Sequence, residues 1–260
     1  NLLLSIDNFP NARVNRENKF LGEFNSIQDA ENFINAFNNF STEIKFNEFL
    51  EKYKPYYDKM ILEVSQNIPK ENFITEMEHF YDKKVNNYNL YPSLTLGFGQ
   101  ACGVGRESMI GNIFACFNKP EKIDNPKDLE LGFKNETSLR TICIHEFGHS
   151  FINPAIDKVD ATTIEGKKSL FEPIKDKMAN QGYTDWKICL YEHFVRANEV
   201  IITRLLNEKQ KADEILKDNY ENRSFVYLPQ IIEKLEFWYY NEFLEKTYEE
   251  KVKEIVSELK

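Results

Sequence analysis

The chain has 260 residues, 42% of them hydrophobic and 14% aromatic, with 33 Lys+Arg against 42 Asp+Glu for a formal net charge of −9. Such a composition suits a folded protein rather than a disordered one, and the length suits one large domain or a helical subdomain joined to a catalytic one. Cationic side chains are dispersed rather than clustered, which excludes nucleic acid as a partner. No apolar run approaches the roughly 18–20 residues of a membrane-spanning helix, so a soluble chain is expected.

Asn1 stands where Met would open a translation product, so the natural N-terminus is expected to be processed, leaving a secreted or periplasmic location open. From residue 1 to 88, helical patterns alternate with Asn-rich breaks. Apolar and aromatic residues recur at three- and four-residue spacing over 27–40 and 49–68, which predicts amphipathic helices and an N-terminal helical subdomain over 1–88. A second domain, 89–260, is expected to hold the chemistry.

From Tyr91 the texture changes. Ser93–Phe98 and Asn112–Phe117 are short alternating or apolar runs, and glycines crowd between Gly97 and Gly111, which predicts a small antiparallel sheet. Gly97-Phe98-Gly99 lacks the continuation of a phosphate loop. Beyond Pro126 the chain reads as helical over 137–152, stopped by Pro154, and again over 185–208 and 227–259. Between them, 157–182 reads as a polar loop with one short helix near 169–178. The fold class expected is α+β, mostly helical. Cys102, Cys116, Cys143 and Cys189 have neither a disulfide framework nor a C-x-x-C spacing; they are read as free thiols, with a Cys102–Cys116 bridge the lesser alternative.

The chemistry is expected in Thr141-Ile142-Cys143-Ile144-His145-Glu146-Phe147-Gly148-His149-Ser150-Phe151, an H-E-x-x-H within an uncharged stretch. Histidines four apart on a helix project from one face one turn apart, so both imidazoles can bind one zinc ion with Glu146 beside it. In that arrangement Glu146 serves as general base toward the metal-activated water. Burying two histidines and a glutamate among Ile, Cys, Phe and Gly without a common partner would be costly. Gly148 costs about 1 kcal/mol relative to Ala in a helix interior, which implies a close neighbour at that turn.

The order of the third ligand separates zincin groups. A metzincin extension would need Gly at Ile152 and His at Ala155. A glutamate about twenty residues downstream would fall near Lys168 and Ser169, flanked by Glu165 and Glu172, which are read as solvated acids. The preferred third ligand is Glu192. It shares a helical stripe with Arg196 and Glu199, amid Ile188, Cys189 and Val195. Glu199 is the alternative ligand, or else an acid that holds a histidine; His193 is read as packed or hydrogen-bonded.

The H-E-x-x-H, the Asn153-Pro154 after it and the later Glu192-His193-x-x-Arg196-Ala197 resemble a bacterial family of uncharacterised gluzincin-like metallopeptidases over about residues 88–205. The resemblance implies a zincin-like catalytic domain with an H-E-x-x-H active-site helix, zinc on His145, His149 and Glu192, and a peptide or protein substrate. Arg196 stands where thermolysin-type enzymes have an Asp, so their substrate preference does not carry over. By analogy with zincins, an edge strand at 91–99 or 112–117 is expected to pair with an extended substrate, and Tyr227 is one candidate for oxyanion stabilisation, with a core role the other. The competing readings are a catalytically silent zincin fold used for binding and a purely helical interaction protein; the latter leaves the H-E-x-x-H unexplained.

Overall fold

In the computed structural model, residues 8–70, 72–106, 109–119 and 130–260 are described. The chain divides into two compact units, Asn1–Glu63 with Pro120–Leu131, and Val64–Lys119 with Gly132–Lys260. The division thus falls at Glu63 rather than at residue 88. The break expected at Pro126 and the N-terminal Asn1 lie outside the described residues.

The smaller unit contains α1 (Ile27–Glu43) and most of α2 (Phe46–Gln66). Ser26 caps α1 by accepting the Asp29 amide. Ala30 and Ile34 on the inner face of α1 close a small core with Ala12 and Phe20. Asn38 fastens the preceding segment, accepting from the Ala12 amide at 3.0 Å and donating to its carbonyl at 2.9 Å. The buried Glu63 carboxylate accepts the Leu131 amide at 2.9 Å.

The larger unit begins with α3 (Phe73–Tyr81) and a three-stranded sheet, β1 (Asn87–Pro92), β2 (Ala101–Arg106) and β3 (Met109–Phe114), in the order β1-β3-β2. The sheet is mixed, not antiparallel as expected: β2 and β3 are antiparallel, whereas β1 and β3 are parallel. The reason is in the connections. Residues 93–100 cross the end of the sheet so that β2 starts opposite Phe114, and β3 then returns between β2 and β1. Segment 93–98 is this connection and not a strand. β2 escapes a sequence reading because Gly103 and Gly105 look like turn residues. Both are there for close approach: a Cβ on Gly105 would stand 2.2 Å from the Met109 carbonyl oxygen, and Gly105 has φ +113°.

Helix α4 (Glu136–Asp157) is capped by Asn135, whose side chain accepts the Ser138 amide at 2.8 Å. It continues through Pro154 rather than stopping there. The proline removes only one donor near the helix end, and the final turn is held by Ala155 and Ile156, which are wholly buried. Helix α7 (Trp186–Leu205) starts at Asp185, whose carboxylate accepts the Lys187 and Ile188 amides, and it buries Leu190, Phe194, Ala197, Val200 and Ile202. Side chains of this size contribute about 1.5–3 kcal/mol each when buried, apart from the smaller Ala, and this burial packs α7 against α4.

Between them lie α5 (Ala161–Gly166), a 3-10 turn over Lys168–Leu170 and α6 (Lys175–Ala179), more structure than the single short helix expected. After α7 come α8 (Lys209–Lys217) and a π turn at Asp218–Asn222. The segment 227–259, expected as one helix, is two: α9 (Leu228–Asn241) and α10 (Tyr248–Glu258). Thr247 breaks the run by forming a capping box with Glu250. The architecture is α+β and mostly helical. No helix among the described residues is long and apolar enough to cross a membrane.

Candidate metal centre

Helix periodicity places His145 and His149 one turn apart on α4, where they face Glu192 on α7. His149 Nε2 lies 3.3 Å from His145 Nε2 and 3.1 Å from Glu192 Oε1; His145 Nε2 lies 3.8 Å from Glu192 Oε2. Donor atoms held about 2.0–2.1 Å from one tetrahedral ion stand about 3.3–3.4 Å apart, so the three groups are spaced as ligands of a single ion. They form a candidate metal-binding triad, with the ligating atoms within 4.8 Å of one another.

The outer nitrogens fix which way the lone pairs point. His145 Nδ1 is 3.0 Å from Glu199 Oε1, a carboxylate that can only accept, so Nδ1 carries the proton and Nε2 faces inward bare. His149 Nδ1 is likewise backed by Asn153 Oδ1 at 3.2 Å. The cluster therefore presents Nε2 of both rings and the Glu192 carboxylate to one point. Glu192 Oε2, although buried, has no hydrogen-bond partner among the described residues. One proton on His149 Nε2 can join one pair of these acceptors and leaves the rest unsatisfied, whereas a divalent cation satisfies all three.

Arg196 holds the acids in place. Its Nη1 donates to both oxygens of Glu199, at 3.2 and 3.1 Å, and its Nε lies 3.9 Å from Glu192 Oε2. Burial opposes the charge on Glu199, but Arg196 and His145 outweigh it and keep that carboxyl below its ordinary range. Burial also opposes ionisation of Glu192. The hydrogen bond from His149 and the charges of His145, His149 and Arg196 overcome it and hold Glu192 at about 2. Glu199 is thus the acid behind a histidine, and Glu192 the inward-facing carboxylate. His193 is wholly buried on another side of α7, with Nδ1 2.8 Å from the Cys189 carbonyl oxygen and its ring against Phe225.

Glu146 lies beside the triad, its Oε1 4.0 Å from His145 Nε2. Strand β2 runs directly over it: the Gly103 amide donates to the carboxylate, and a Cβ on Gly103 would stand 2.6 Å from the Glu146 carbonyl oxygen. Burial raises the Glu146 carboxyl against the pull of both histidines. The edge strand at the site is therefore β2; the expected 91–99 and 112–117 segments are not, since β3 is the central strand and β1 lies on its far side.

Other residues singled out in the sequence lie elsewhere. Tyr227 donates to the Leu170 carbonyl oxygen at 2.5 Å and packs on Trp186, a core role. Glu165 and Glu172 are exposed. All four cysteines are free, which removes the Cys102–Cys116 bridge. The neighbour at Gly148 is Tyr81 of α3, whose hydroxyl would be 3.4 Å from an added Cβ. A cleft of about 930 Å³ opens onto the triad, lined on one side by Gly99–Gly103 and on the other by α4 and α7.

The fold and this cluster define the chain as a mostly helical α+β protein with a buried two-histidine, one-glutamate centre at the foot of a cleft. It belongs to the family described as Domain of unknown function (DUF4932), which matches residues 17–257. No curated protein and no solved structure matches it.

Proposed function

We propose that this protein is a zinc-dependent peptidase, with zinc held by His145, His149 and Glu192 and with Glu146 as general base. The observation that carries the reading is the convergence of two imidazoles, each backed by its own partner, and the Glu192 carboxylate on one point beside the Glu146 carboxylate. Two imidazoles and a carboxylate are a donor set suited to zinc, and three protein ligands leave room for a reactant. Zinc, when bound, supplies a Lewis acid that polarises a carbonyl and acidifies water.

The chain's own groups do the rest. Glu146 takes the proton of the attacking water and returns it to the departing amine, and its burial-raised carboxyl suits a group that must do both near neutral pH. The exposed backbone edge of β2 beside Glu146 is where an extended peptide would add as a further strand. Such a site is zincin-like, with the third ligand a glutamate on the next long helix.

Cleavage of a peptide library by wild type and by Glu146→Gln tests the reading. Cleavage confined to the wild type supports the peptidase, and zinc binding without cleavage by either points to a silent, binding fold.

Metal binding is expected to release protons. Burial pulls His149 down, but the hydrogen bond and charge of Glu192, with Asn153 and Glu146, more than offset it and raise His149 above 6.5. A raised value means that near neutrality zinc must displace a proton, so apparent affinity rises with pH through the neutral range and levels off once His149 is fully deprotonated. Calorimetry at pH 7 in buffers of different ionisation enthalpy should show this release, and a buffer-independent heat would contradict it.

Glu199→Gln is expected to weaken zinc binding by about 10–100-fold, because the amide orients His145 less firmly and adds no charge to it. Competition with a chromophoric chelator measures this; unchanged affinity would detach Glu199 from the site.

A further inference from the structure

The cleft has a charge asymmetry that the metal centre does not use. Its acidic lining residues are Glu146, Glu192 and Glu199, all at the triad; its basic ones are Arg196, Lys211 and Arg223. Arg196 is committed to Glu199 and Glu192. A divalent ion and Arg196 together match the three carboxylates. Lys211 and Arg223 are left over, and among the described residues neither has a carboxylate within ion-pair distance. In a chain of net charge −9, cations facing a cavity without an acid are the exception.

Arg223 is also held ready. Neutral acceptors fix it, Nε donating to Gln181 Oε1 at 3.2 Å and Nη1 to Asn219 Oδ1 at 3.2 Å, while the guanidinium lies 5.4 Å from the centre of the Phe225 ring. Its Nη2 has no partner among the described residues. Arg196 lies 5.9 Å from the centre of the same ring, which links Arg223 to the metal centre through one side chain. A residue of extended peptide spans about 3.3–3.6 Å, so a group bound at Arg223 lies within a few residues of a bond cleaved at the metal.

We propose that Arg223 and Lys211 form a specificity subsite for a carboxylate of the substrate, so that the cleft selects peptides bearing Asp or Glu, or a free C-terminus, near the scissile bond. The proposal rests on the peptidase reading and names its substrate class. A planar guanidinium with an unused edge suits a carboxylate, and Lys211 adds a second, mobile charge.

The test uses four degenerate peptide pools of one length: Glu-, Gln- and Lys-enriched pools with amidated C-termini, and the Gln pool with a free C-terminus. Each is offered to the zinc-loaded wild type for cleavage and to the zinc-loaded Glu146→Gln protein for binding by competition. Expected is about a tenfold or greater advantage in both readouts for a carboxylate-bearing pool over the Lys pool, reduced in Lys211→Gln and in Arg223→Gln. An advantage of the Glu pool assigns the carboxylate to a side chain; one confined to the free-ended Gln pool assigns it to the terminus. Equal use of all pools, or preference for Lys, overturns the subsite. If no pool is cleaved, the peptidase reading fails by itself, and the binding order still decides for or against carboxylate selection. Zinc content and melting temperature of each variant guard against a folding defect, and Lys211→Gln, on the partly exposed α8, gives a second route if Arg223→Gln does not fold.

Discussion

Glu146→Gln is expected to bind zinc as the parent does and to cleave peptides about 10²–10⁴-fold more slowly. The amide is nearly isosteric, so it can keep the Gly103 amide as a partner through its oxygen and leaves His145, His149 and Glu192 untouched. What it loses is the ability to accept a proton from water and to hand it on to the departing amine, the two proton transfers proposed for this side chain. The loss should lie in kcat more than in KM, since on the proposed reading β2 and the cleft wall, rather than Glu146, would hold the substrate. Steady-state kinetics beside a zinc assay measure both; a variant that retains more than about a tenth of the wild-type rate would remove Glu146 from the mechanism.

Arg196→Ala is expected to destabilise the fold by about 3–5 kcal/mol, the cost of leaving a buried charge without its partner. Both Glu192 and Glu199 are buried, and Arg196 is the cation common to them. The carboxylates would respond by taking up protons, so zinc affinity should fall along with stability. Arg196→Lys keeps the charge but not the fork, and should recover part of the stability. Urea denaturation of the metal-free protein gives the number; a loss under about 1 kcal/mol would show that the guanidinium is not what holds the acids in place. Added zinc should widen the gap, because the variant, which binds the ion more weakly, gains less stability from it than the wild type does.

Why these residues and not others were legible follows from their local physics. His145, Glu146 and His149 lie within one helical turn, so their juxtaposition is dictated by helix geometry alone. Glu192 and Glu199 were legible as a buried stripe because α7 is apolar around them, and helix spacing sorts them: Glu192 faces the triad and Glu199, seven residues on, stands behind His145. The sheet was less so. β2 has glycines where a strand normally has β-branched residues, because its backbone must touch Glu146 and Met109, and that contact is tertiary. For the same reason the sequence carries no local signal that β2 is the edge strand. The run of α4 through Pro154 and the split of α9 from α10 likewise depend on burial of Ala155 and Ile156 and on the Thr247 cap, which override the local signals.

Arg223 and Lys211 carried no sequence signal, since isolated cations in a charged chain are ordinary; only the cleft singles them out. Asn153 is a similar case. Its position four residues after His149 becomes meaningful once the ring is seen to need a partner for Nδ1.

A crystal soaked with zinc and measured at the zinc absorption edge tests the central claim most directly. The account predicts one anomalous peak per chain, about 2.0–2.2 Å from His145 Nε2, His149 Nε2 and a Glu192 oxygen. A peak bound elsewhere, or none at the triad under conditions where zinc is in excess at pH 7.5, would contradict it.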